Sequence, residues 1–202
     1  MSPLRLLILA AAVHVAATIT VFTIGYFQLL PGFFDTNGIG TTFAIDGATY
    51  QRLASQMATQ WQNYGFGAWL DMKAPLHCRL YSITFATIGR LVGHNVLGTE
   101  PLNLFYFLGT LTIVFLLGRE IFNERAGLLA AAIVAVWPSF LAHSTQLIRD
   151  PLAILCFLAL LFVLTLLLSR EFEWRRALAL GIAGAVVVTV FWLARGNMWN
   201  AV

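Results

Sequence analysis

The chain has 202 residues, of which 59% are apolar, 13% aromatic and only 10% charged. An ordinary soluble domain carries about 25% charge and 45–50% apolar residues. A soluble core of this length cannot hide so much apolar surface, and the mean hydropathy of +0.81 agrees. The net charge is a modest +3. In a membrane chain that reflects arginines in loops, and no nucleic-acid partner is expected.

A spanning helix needs about 20 mostly apolar residues. Residues 6–30 supply the first such run. It is too long for the apolar part of a cleaved leader, about 7–15 residues. Residues 31–100 form a long loop rich in aromatics. Within it Tyr50, Leu53, Ala54, Met57, Ala58 and Trp61 recur at helical spacing, and Asp46 stands where an N-cap would stand. A second loop helix is expected over residues 76–92, opened by Pro75. Leu76, Leu80, Ile83, Thr87 and Leu91 share one of its faces. Its uncharged centre is only about ten residues long, which suits an interfacial helix and not a span. Runs at 101–117, 126–142, 151–168 and 177–194 give four more spans. Pro101 and Pro151 are expected in first turns, where a missing N–H costs nothing. Trp137-Pro138 should kink or end its run. The expected fold is an all-α polytopic membrane bundle of about five spans. It forms one transmembrane domain over 1–202, with a first span in 1–30, an outer loop in 31–100 carrying two interfacial helices, and four spans in 101–194.

Charge orients the bundle. With five spans, one side holds the N-terminus and two short loops, and these carry Arg5, Arg119, Arg125, Arg170, Arg175 and Arg176. The six other basic residues are spread over far more chain. The positive-inside rule puts the short loops in the cytoplasm. Asp35, Asp46, Asp71 and Asp150 then all face outside.

Four outer features carry chemistry. Asp46 opens the first loop helix and reads first as a cap; a helix start also fixes the direction of a carboxylate. Lys73 precedes the second loop helix, where it snorkels to headgroups or holds an anionic phosphate. Arg149 and Asp150 lie at the start of a span, and an ionisable pair at the bilayer edge is a functional candidate. Tyr50, Asp71 and His77 complete the loop. His14 lies in the first span and is expected to find a partner on a neighbouring helix. The histidines have no metal-ligand spacing, and no Gly-rich phosphate loop or nucleophile elbow occurs.

The order of these features resembles the N-terminal part of the GT-C fold glycosyltransferases: protein O-mannosyltransferases (glycosyltransferase family 39), aminoarabinose transferases and bacterial Rgt-type transferases. The matching stretches are Asp46-x-x-x-Tyr50-x-x-x-Ala54, Lys73-Ala74-Pro75-Leu76, Leu117 to Ala126, Trp137-Pro138 and Arg149-Asp150-Pro151. The resemblance implies sugar transfer from a polyprenyl-phosphate donor to an acceptor glycan, lipid or protein, at the outer face of the cytoplasmic membrane. It implies Asp46 and Asp150 as catalytic, and Lys73 and Arg149 as phosphate-binding. Met72 stands where the family often has an acid, and Ala74-Pro75 stands for the usual Pro-Pro. These departures leave a divalent metal open. Family members carry further spans, so the chain reads as truncated at its C-terminus. Two other readings remain: a non-catalytic remnant or partner subunit, and a lipid-linked sugar transporter. The second lacks the paired broken spans of a repeat.

Overall fold

The computed structural model describes residues 2–29, 45–169 and 173–195. Asp35, Arg170 and the expected end of the first span at Leu30 lie outside them. The described residues form helices α1 (Pro3–Tyr26), α2 (Ile45–Tyr64), α3 (Phe66–Asp71), α4 (Leu76–Thr87), α5 (Gly89–Val92), α6 (Val96–Ile121), α7 (Glu124–Ala135), α8 (Pro138–Ser144), α9 (Asp150–Leu168) and α10 (Trp174–Arg195). Four of them, α1, α6, α9 and α10, are long and apolar enough to cross a membrane. Helices α7 and α8, bent by 65° between Ala135 and Pro138, pass the same test only together, and count as a fifth span when taken as one broken helix. The bend falls at Trp137-Pro138. Proline has no N–H for the ladder and its ring crowds the preceding turn, so α8 restarts with Pro138 in its first turn.

Two expectations about helix starts are corrected. Pro101 does not open its span. Helix α6 begins five residues earlier, because the Asn95 side chain accepts from the N–H groups of Leu97 and Gly98 and caps it there. Pro101 therefore lies inside the helix. Asp46 is not a flanking cap either, since α2 starts at Ile45 and places Asp46 within its first turn. There its charge still favours the positive end of the helix dipole.

Helix α6 is the centre of the bundle and packs against α1, α4, α7 and α9. The α6–α7 hairpin is very close. A Cβ on Gly118 would stand 2.6 Å from Gly127 Cα, and one on Gly127 would strike the Phe115 carbonyl oxygen. Outside this seam the spans show leucine, isoleucine and phenylalanine outward. Helix α10 buries only Ala194 among its residues. A bilayer accepts such a surface and water does not.

A polar knot ties α1, α6 and α8. His14 is fully buried, with Nδ1 at 2.9 Å from Glu100 Oε1 and Nε2 at 3.1 Å from Ser144 Oγ. Thr18 Oγ1 donates to Glu100 Oε2 at 2.8 Å, and Ser144 Oγ donates to the Leu141 carbonyl at 3.0 Å. His14 thus has its partners on neighbouring helices.

The loop helices form a layer on one end of the bundle. Ala54 and Ala58 of α2 meet Tyr81 and Phe85 of α4, together with Val96 and Leu147. Burying a side chain such as Phe85 contributes about 2 kcal/mol. Helix α3 is an element the periodicity does not announce. It is held by aromatic contact: Trp69 lies 5.6 Å from Trp61 and 5.1 Å from Phe66, and its Nε1 donates to Ser82 Oγ at 2.7 Å. Gly65 between α2 and α3 has φ of 87°, a conformation glycine adopts without strain.

Candidate active site at the loop end of the bundle

The site starts from a buried connection. Thr145, Gln146 and Leu147 are fully buried and Ile148 is nearly so. A buried non-helical backbone needs its polar groups satisfied. The Tyr81 hydroxyl donates to the Ile148 carbonyl at 2.8 Å, and Asn103 Nδ2 donates to the Gln146 carbonyl at 3.3 Å. This fastened connection delivers Arg149 and Asp150 to the first turn of α9. Tyr81 and Asn103 escape a reading of the sequence, because nothing local ties Tyr81 to a carbonyl 67 residues away.

Tyr50 marks the centre. Burial raises its phenol above the ordinary range, Arg149 pulls it down, and Asp46 and Asp150 push it up. Asp46, Arg149 and Asp150, from two distant parts of the chain, therefore lie within electrostatic reach of one side chain. His77 completes the group, with its ring edge-on to Tyr50 at 4.4 Å. It is 3% exposed, and neither ring nitrogen has a hydrogen-bond partner. Burial, then the positive charge of Arg149, lower its pKa to about 4. The Ala194 backbone of α10 lies close enough to pull the other way.

Asp71 and Lys73 sit apart from this group, both exposed, at the end of α3 and on the link to α4. Among the described residues neither is hydrogen-bonded or ion-paired to Asp46, Tyr50, His77, Arg149 or Asp150. Arg79 organises their link, donating to the carbonyls of Leu70 and Met72 and lying 5.2 Å over the Trp69 ring.

Asp150 also borders a groove of about 660 Å³ between α8, α9 and α10. Phe140, Ile154, Phe157 and Phe191 line it, and Arg195 shares the polar side with Asp150. A cavity with apolar walls and a few charged groups fits an amphiphile. Among the described residues no three His, Cys, Asp or Glu side chains converge to hold a metal ion. Asp46 and Asp150 alone are short of such a set.

Residues 81–191 match the model of the dolichyl-phosphate-mannose-protein mannosyltransferase family. The match covers more than half of the chain. The chain belongs to this mannosyltransferase family. No curated protein and no solved structure matches it. Membership makes it a glycosyltransferase-family membrane protein, in a family whose sugar donor is a lipid phosphate. The matched stretch of this mannosyltransferase-family chain includes Arg149, Asp150 and the groove lining up to Phe191. It begins after Asp46, Tyr50, Lys73 and His77, so those residues rest on geometry and resemblance.

Proposed function

We propose that the chain transfers a sugar from a polyprenyl-phosphate carrier to a hydroxyl acceptor at the outer face of the cytoplasmic membrane. The observation that carries this reading is that Asp46, Arg149 and Asp150 all act electrostatically on Tyr50, with Asp150 also lining an apolar groove. The groove takes the first isoprene units, and the phosphate lies toward Arg149. Asp46 accepts the proton of the acceptor hydroxyl as its oxygen bonds to the sugar's anomeric carbon. The bond from that carbon to the phosphate oxygen breaks, and the carrier phosphate leaves with the electron pair. Arg149 offsets the charge that builds there. Asp150 orients the acceptor. Lys73, exposed on the rim, meets the anionic headgroup as it arrives, while Tyr50, Asp71 and His77 belong to the loop that covers the substrate.

Asp46→Asn tests the central assignment. The amide keeps the shape and loses the basicity. Transfer by the full-length protein should fall by about 10² or more, the worth of a positioned base. Thermal stability should change by about 0.3–1 kcal/mol, the worth of a charge in a first helical turn. Equal expression with undiminished transfer removes Asp46 from the chemistry.

A further inference from the structure

His77 has the character of a ligand contact and not of a packed core residue. It occupies the second position of α4, is 3% exposed, and makes no well-formed hydrogen bond at either ring nitrogen, the Ala194 backbone being its one polar neighbour in reach. Buried polar side-chain atoms are nearly always paired, so two orphans on one ring need an explanation. A phenylalanine would fill the same volume without the unmade bonds. The imidazole lies where the charges of the site meet, with Tyr50 edge-on to it at 4.4 Å and Arg149 near enough to act on it electrostatically.

The state of the ring narrows what it recognises. Next to a guanidinium and out of water, His77 stays neutral at ordinary pH. A neutral imidazole has one N–H donor and one acceptor nitrogen. Beside Arg149, the donor suits an anion with more lone pairs than one guanidinium engages. The acceptor suits a hydroxyl. A phosphate joined to a sugar presents both.

We infer that His77 is a ligand of the donor's phosphate: once the half-buried Tyr50 ring swings aside, the His77 N–H donates to the phosphate oxygens that Arg149 neutralises. The inference rests on the lipid-phosphate reading above. Tyr50 must move because both nitrogens are covered in this state. Rotamer changes of this kind are fast compared with catalytic turnover.

The test measures binding of farnesyl phosphate and of farnesol to the full-length protein in nanodiscs. Wild type should bind farnesyl phosphate more tightly than farnesol. His77→Phe should lose about tenfold to a hundredfold of the farnesyl phosphate affinity, as for a hydrogen bond to a charged group, and none of the farnesol affinity. Unchanged farnesyl phosphate binding by His77→Phe overturns the inference. If Arg149→Gln weakens that binding while His77→Phe does not, the lipid-phosphate reading survives and His77 leaves the site. If wild type does not distinguish the two probes, the reading itself falls and takes the inference with it. A second measurement does not depend on how His77→Phe folds. In Tyr50→Ala protein, diethyl pyrocarbonate should modify His77 readily, and farnesyl phosphate should slow that modification where farnesol does not. Lack of protection by farnesyl phosphate again overturns the inference.

Discussion

At His77 the folded protein resists a proton that the unfolded chain takes readily. The unfolded imidazole titrates near 6.5 and the folded one near 4. Between those values the unfolded state binds more protons, so stability is complete above 6.5 and falls as the pH drops toward 4. The gap is worth up to about 3 kcal/mol. His77→Phe should flatten that loss. Thermal midpoints of detergent-solubilised protein between pH 7 and pH 4.5 should fall more steeply for wild type than for the variant. Parallel curves would mean that His77 protonates as easily in the fold as out of it. The residues around His77 are readable one by one in the sequence, because each stands at a helix start or in an aromatic loop. Which of them meet is not readable. Asp46 and Arg149 lie far apart along the chain, and only the packed layer of α2 and α4 joins them. Lys73 has as good a local signal as Arg149, yet its link leaves it exposed.

Helices were legible where period and length agree. The stripe from Tyr50 to Trp61 is the inner face of α2, with Ala54, Met57 and Ala58 fully buried. In α4 the same logic finds the outer face. Ile83 and Thr87 of the apolar stripe are exposed, as is Leu91 beyond it, while His77, Tyr81, Ser82 and Phe85 point inward. At a bilayer surface an apolar stripe is free to face lipid, so hydrophobicity alone does not say which side is buried. The α6–α7 seam was not legible, because close approach leaves no periodic mark beyond Gly118 and Gly127. That seam is testable. Gly127→Ala puts a methyl against the Phe115 carbonyl and 2.9 Å from the Arg119 nitrogen, both backbone atoms. It should cost about 1–3 kcal/mol by overpacking, read as a lower thermal midpoint. Gly181→Ala in α10 meets nothing within 4 Å and should be neutral or stabilising by up to about 1 kcal/mol. Equal effects from the two would show that the seam is not tight.

The whole molecule alternates direction. Helices α6 and α9 leave the loop layer, and the bent α7–α8 pair and α10 return to it. Glu120 and Ser169 meet at 3.0 Å at the far end, where α6 and α9 finish together. In a background without Cys78, cysteines at the exposed Gln60 and Gly93 should react with an impermeant thiol reagent from outside the cell. Cysteines at Asn123 and Ser169 should react only after permeabilisation. Reaction of Asn123 from outside would reverse the proposed orientation. The bundle also encloses a fixed count of protons in the knot of α1, α6 and α8. Ser144 has one hydroxyl hydrogen, and it goes to the Leu141 carbonyl. His14 Nε2 must then supply the hydrogen in its bond with Ser144, and one further hydrogen lies between Nδ1 and Glu100 Oε1. All of these bonds are made at once with two hydrogens shared between the imidazole and Glu100, whichever of Nδ1 and Oε1 holds the second. The knot is then neutral as a whole, assembled from helices that are far apart in sequence. Neither polar side chain is satisfied in the bundle without the other, so α1 and α6 must find each other before either is fully accommodated in lipid.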